Sequence, residues 1–373
     1  MLSRLDDYPI HQTPEPLLQP ATTDRNFYDR YWFNGFSRQG ELYFGIALGV
    51  YPNRRVMDAS FSVAVDGVQH SFHASRLIPY ERTDTRIGPF AIEVVEPLKS
   101  LRVRLAENRT GIECDLTFRA RTCAIEEPRS QMRRDNRVIM DTSRFTQFGT
   151  WQGRIVAAGR AVAVEPQATC GVRDRSWGVR PVGEPEAGKP DFNVPQIFWL
   201  WAPVHFDEFC THFGMFEDAD GNRSNTMAMR VPAFDAADAI PPLEEARVEH
   251  LGSPTHRLQW QKGTRRIARA ELEMTARDGE RLAITLEPLL RFHLLGLGYL
   301  HSEWGHAFWK GEEAIGSESW KLDEVDPSDF RFQHIQWLCR ARLGNQTGVG
   351  TLEQLTFGPH RPSGFTELLD GAR

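Results

Sequence analysis

Little in this 373-residue chain points to a nucleotide, a metal or a bilayer. No Gly-x-Gly-x-x-Gly, phosphate loop or Gly-x-Ser-x-Gly stands between a strand and a helix, so nucleotide-binding and α/β-hydrolase chemistry have nothing to rest on. There are only 5 cysteines, an odd number without any Cys-x-x-Cys spacing, which argues for buried thiols rather than a disulfide framework or a zinc knuckle. Basic residues are outnumbered, giving a formal net charge of −6, and the electrostatic footprint of a nucleic-acid binder is missing. The longest apolar runs, Ile197 to Val204 and Leu289 to Leu300, are too short or too interrupted to span a bilayer, so no stable membrane insertion is expected. The first residues carry Asp6, Asp7 and Pro9 where a secretory signal needs an apolar core; a cytoplasmic location is the expectation.

What the chain has is aromatic weight, 10 Trp and 23 Phe, and a recurring alternation broken by turn signals. Val56 to Val65 places Phe61, Val63 and Val65 on one face, Asp66-Gly67 supplies a hairpin turn, and Val68 to Leu77 returns. Similar short runs follow at Ala91 to Val95, Leu101 to Leu105, Ile112 to Arg121 and Arg154 to Val164. The second half repeats the style from Ile197 to His205 through Phe209 to Phe216, Thr226 to Val231, Arg266 to Thr275 and Leu282 to Leu286, ending in Ile335 to Leu343 and Gly350 to Phe357. Long helical periodicity is scarce. The pattern is all-β, with two antiparallel barrels or sandwiches divided near residue 180, as 1–180 and 181–373, and with a Pro/Gly-rich linker from Pro181 to Pro195. Gln131 to Arg137 reads as a solvated turn, Pro232 to Glu245 as a loop with a short helix, and Asp218 to Asn222 as a hairpin turn rather than a calcium loop.

The segment Gly171-Val-Arg-Asp-Arg-Ser-Trp-Gly178 reads as a loop that sets Asp174 between Arg173 and Arg175, with Trp177 and Arg180 following. In extended backbone the flanking arginines point away from Asp174. A second cluster, Tyr299 to Trp309, brings His301, Glu303, Trp304 and His306 together. Read as a strand, it puts His301 and Glu303 on one face; it lacks both the helical His-Glu-x-x-His geometry and a third distant ligand, so no metal is expected. Trp199, Trp201 and Trp304 are the aromatics placed to wall a cavity. A carboxyl group desolvated among aromatic rings has a raised pKa and can donate a proton near neutral pH, whereas arginines beside it hold it as the carboxylate.

Tyr31-Trp32-Phe33-Asn34-Gly35 with Gly40-Glu41-Leu42-Tyr43, the Asp174-x-Ser176-Trp177-Gly178 segment, and Gly348-Val-Gly350-Thr-Leu-Glu353 together resemble the two-domain lipocalin-like superfamily that includes carotenoid 1,2-hydratase (hydroxyneurosporene synthase) and related hydratases and cyclases. Arg175 departs from the residue, often histidine, that this family carries between Asp and Ser. The resemblance implies two lipocalin-like β domains packed together, a pocket near their interface, and Asp174 as proton donor aided by Trp177. The resulting expectation is a cofactor-independent lyase or isomerase, acting on an apolar isoprenoid, steroid or polyketide-like molecule. Asp174, His301 and Glu303 would move the proton, and Arg173, Trp177, Arg180, Trp199, Trp201 and Trp304 would contact the substrate. The alternative is a lipocalin-like carrier that binds an apolar molecule without chemistry.

Overall fold

In the computed structural model, which describes residues 3–134, 136–184 and 196–373, nearly all regular structure is antiparallel strand. The expected hairpin is there: Val56–Val65 and Val68–Leu77 pair about Asp66-Gly67, both at positive φ, as a tight two-residue hairpin turn requires. Alternation then decides the faces, so that Phe61 and Phe72 pair on one side and Ser60 and His73 on the other.

The first sheet runs, in spatial order, through Glu313–Lys321, Val68–Leu77, Val56–Val65, Leu42–Tyr51, Phe27–Ser37, Thr169–Val179, Arg137–Ala157, Glu113–Ala120, Ser100–Leu105, Phe90–Glu96 and Arg86–Ile87. Its two ends approach each other where Arg109 donates to the Ile315 carbonyl at 2.6 Å, so the sheet curls into a nearly closed barrel. The second sheet runs Glu249–His250, Arg223–Pro232, Phe209–Glu217, Ile197–His205, Gln346–Phe357, His334–Leu343, Arg281–His293, Ile267–Thr275 and Gly252–Trp260. Arg223 reaching the Pro254 carbonyl at 3.1 Å draws its ends together. Both sheets are antiparallel barrels, and the fold is all-β. One strand crosses the division expected near residue 180: Glu313–Lys321 belongs to the second half of the sequence yet pairs with Val68–Leu77 of the first sheet.

Among the described residues three large apolar cores result, with a small fourth cluster at Tyr28, Tyr51, Val56, Val182 and Ala307. Phe33, Phe44, Phe61, Phe118 and Trp151 fill the first barrel, and Leu200, Phe213, Leu272, Leu286 and Leu352 fill the second. The third lies between the outer faces of the two sheets and joins Trp32, Tyr43 and Ala47 to Trp201, Met229, Phe292 and Leu297. The outer faces approach closely at glycines. A Cβ on Gly45 would lie 2.7 Å from Leu297, and one on Gly296 would lie 2.4 Å from the Ser71 hydroxyl. Side chains at either place would push the barrels apart.

Several local expectations change. Gly171 to Gly178 is not a loop but the middle of the Thr169–Val179 strand. Around Gln131, Ser130–Arg134 pairs with the long Arg137–Ala157 strand, so the charged run flanks a hairpin tip. Tyr299 to Trp309 is not a strand: it follows a short 3-10 turn at Leu294–Leu297, and positive φ at Gly298, Leu300 and Ala307 keeps it irregular. Most of the expected linker, residues 185–195, lies outside the described residues. Asp218 accepts from the backbone N–H of Asp220 and Asn222, the hairpin turn expected there. All five cysteines are buried thiols. Among the described residues no helix is long and apolar enough to cross a membrane.

Candidate active site between the two barrels

Antiparallel register builds the site. Asp174 sits directly opposite Trp32 on one side and Thr146 on the other. One pair along, Ser176 lies opposite Arg30 and Arg144. Directly opposed residues share a face, so Asp174, Trp32, Thr146, Arg30 and Arg144 all look outward from the first barrel toward the second. Arg173 and Arg175 take the other face, as extended backbone demands. Arg173 donates through Nε and Nη2 to Gln147 at 2.8 and 2.6 Å beneath Phe118 and Phe145. Arg175 pairs with Asp29 and stacks on Tyr31.

Asp174 is half-buried and accepts no hydrogen bond from any described residue. Burial pushes its pKa up to about 6, opposed by Arg144, helped by the charge of Glu127, and opposed again by Arg30 and Arg180. Desolvation therefore outweighs three cations, because the carboxylate has lost water without gaining a direct partner. Its charged neighbours are each held. Glu127 accepts from Thr146 at 2.6 Å and pairs with Arg144 at 3.5 Å. Arg30, 1% exposed, donates to the Tyr299 hydroxyl at 2.8 Å. Arg180 lies over the Tyr28 ring and donates to His306 Nδ1 at 3.3 Å, while His306 Nε2 donates to the Leu297 carbonyl at 2.9 Å. Burial, with Arg30 and Arg180 nearby, keeps that imidazole neutral, which fixes this tautomer.

The second barrel supplies the opposite wall. Trp201 meets Trp32 edge-on at 5.5 Å and His212 at 5.7 Å. Glu353, opposite Trp201, accepts from His334 at 2.9 Å and from the Trp199 indole at 3.0 Å, and Gln336 binds its other oxygen. Burial alone would raise the Glu353 pKa; His334, Gln336 and Trp199 reverse that and hold it below the usual range. Next to Arg144 and Glu127 a cavity of about 50 Å³ opens between Met140 and Thr142 on one side and Trp199, Phe216 and Met227 on the other.

Of the residues singled out from sequence, the structure brings Asp174, Arg180, Trp199 and Trp201 to this junction. Arg173 lies inside the first barrel. Trp177 is 42% exposed on the face opposite Asp174. His301, Glu303 and Trp304 gather elsewhere, beside the Val68–Leu77 strand, four strand spacings and about 19 Å along the sheet from Asp174. There Glu318 Oε1 bridges His73 and His301, each at 3.0 Å, and Trp304 stacks on His73. The Glu303 side chain is exposed. His73, His301 and Glu318 are close enough together to hold an ion. However, His301 Nδ1 accepts the backbone N–H of Glu303 and Trp304, which puts its proton on Nε2, facing Glu318. A ligating imidazole needs the reverse arrangement, so the cluster fits a hydrogen-bonded clasp better than a metal site.

A family model matches residues 2–366. The chain belongs to DUF8625, a family of unknown function. No curated protein matches its sequence. Among solved structures, kievitone hydratase from Nectria haematococca is similar in fold, with a TM-score of 0.51 at 12% identity over 88% of both chains. CghA is similar too, at 0.50 and 11% over 89% of both chains with Sch210972, and over 90% of both without it. These likenesses show a shared fold alone; the likeness to carotenoid 1,2-hydratase rests on the sequence segments.

Sequence reasoning missed Arg30, Glu127, Arg144, His212, His334 and Glu353. Their only signal is a charged or polar residue at alternate positions of an aromatic strand, as in Arg30-x-Trp32-x-Asn34.

Proposed function

We propose that this protein is a cofactor-independent acid/base enzyme of the hydratase, dehydratase, isomerase or cyclase kind, working in the cleft between its two barrels on a substrate with an apolar body. One observation carries the reading: Asp174 is half-buried, without a hydrogen bond, and has a pKa raised to about 6. A carboxyl group so tuned exchanges a proton easily near neutral pH, donating it in one step and reclaiming it in the next. Trp32, Trp199 and Trp201 give the apolar walls, and Arg180 stands beside the acid. The fold shared with a protein described as a hydratase agrees with this chemistry and fixes no substrate. His301 and Glu303 have no part in the step, being tied up at the Glu318 clasp or exposed.

The test is native mass spectrometry with organic extraction of protein purified from its own host, comparing wild type with Asp174→Asn. The expected result is a co-purifying molecule that differs between the two proteins by a molecule of water or by isomerisation. The same unaltered molecule in both would instead establish a carrier.

A further inference from the structure

The polar groups around Asp174 are out of balance. The Nε of Arg30, of Arg144 and of Arg180 and the indole N–H of Trp32 and Trp201 are buried without any partner. Acceptors are nearly used up: Glu353 binds His334, Trp199 and Gln336, and Glu127 binds Thr146 and Arg144. Among the described carboxylates at this junction, Asp174 alone accepts no hydrogen bond; His212 Nδ1 and His334 Nδ1 are the other buried acceptors there without a partner. Buried donors left unpaired are costly, and so many gathered around one carboxylate, three guanidiniums beside it, Trp32 opposite it and Trp201 against Trp32, mark the place of a missing acceptor. Three guanidiniums beside the acid would also oppose a developing carbocation and favour a developing anion. The cavity at Arg144, about 50 Å³, has room for a carboxylate or an enol oxygen but not for a whole drug-sized ligand, while Met140, Trp199, Phe216 and Met227 form an apolar lip.

Resting on the acid/base reading above, we infer that the substrate of this cleft is an amphipathic molecule bearing an acidic oxygen, a carboxylate, enolate or phenolate, held by Arg30, Arg144 and Arg180 with its reacting carbon at Asp174. In the step this implies, the Asp174 carboxylate takes a proton from the carbon beside a carbonyl. The C–H bond breaks, an O–H bond forms on Asp174, and the electron pair passes into an enolate whose oxygen the guanidiniums stabilise. Return of the proton to another carbon completes an isomerisation. Expulsion of a β-hydroxide, which takes the proton from Asp174 and leaves as water, completes a dehydration. Neither course needs an oxidant or reductant.

The experiment is calorimetric titration, with saturation-transfer NMR, of the full chain by cinnamate and by methyl cinnamate, which differ in the free carboxylate. Cinnamate is expected to bind at least tenfold more tightly than the ester. Arg144→Gln and Arg180→Gln should each cost cinnamate at least tenfold and leave the ester unchanged, whereas Asp174→Asn, which removes a like charge, should tighten cinnamate. Because buried arginines bear on folding, Arg144→Lys is the companion variant: it keeps the charge and should keep the preference for acid over ester. Equal affinity for acid and ester, no binding of either, or cinnamate binding indifferent to both Gln variants overturns the inference. The last result would place the anion at another arginine cluster, such as the barrel mouth at Arg82 and Arg175. An unaltered co-purifying molecule together with intact acid preference would remove the enzymatic reading alone.

Discussion

The same strands of the first barrel carry two very different faces. Inward from Phe27–Ser37 and its neighbours stand Phe33, Phe44, Phe61 and Phe118 around Trp151, whose indole N–H finds the Asn34 carbonyl at 2.8 Å. Even the charged intruder, Arg173, donates through Nε and Nη2 to Gln147. Outward, one residue along, stand Arg30 and Trp32, as buried as a core, and the half-buried Asp174 and Arg144, with unpaired donors and an unpaired carboxylate. An interior packed for stability satisfies its polar groups; a surface that buries them unsatisfied has traded stability for a ligand.

That contrast is broken most forcefully from the inner side. Trp151→Ala should destabilise the protein by about 3–5 kcal/mol, since it opens a large cavity and strands the Asn34 carbonyl. Urea unfolding measures it, and a loss under about 1 kcal/mol would mean that the barrel interior is far more plastic than its packing.

On the outer side the sign should reverse. The folded-state pKa of Asp174 is raised above its ordinary 3.8 to about 6, so wild-type stability falls as pH rises between those values and stays reduced above them. Asp174→Asn removes that loss. It should stabilise the protein by about 1 kcal/mol at pH 7, after discounting for partial exposure, and by almost nothing at pH 4. Unfolding curves at the two pH values decide it, and a variant less stable than wild type at pH 7 would show that Asp174 serves the fold.

The smallest effect belongs to Trp177, adjacent in sequence to this face yet exposed on the other. Trp177→Ala should change stability by no more than about 0.5 kcal/mol and leave cinnamate affinity where it was. A tenfold loss of that affinity would move the binding site to the opposite face of the sheet.

The all-β architecture was legible because alternation and Asp-Gly or Gly-rich turns are local signals, and Ile197–His205 falls where the pattern places it. Asp174 was legible because it stands out among arginines in its own segment. Its true neighbours were not: Arg30, Glu127 and Arg144 meet it only through strand register, and Glu353 and His334 only through the docking of one sheet on another, neither of which leaves a spacing in the chain. The His301 segment misled for a different reason. Alternation there imitates a strand, but Leu300 and Ala307 adopt positive φ, a cost that contacts made elsewhere in the fold must cover.

The strand Glu313–Lys321 imposes an order on synthesis. Until it emerges, the Val68–Leu77 strand has a bare edge, a template for pairing with another chain. At about 5–20 residues per second the Val68–Leu77 edge waits roughly 10–50 s for this last stave, so the two halves of the protein cannot mature one after the other as beads on a string.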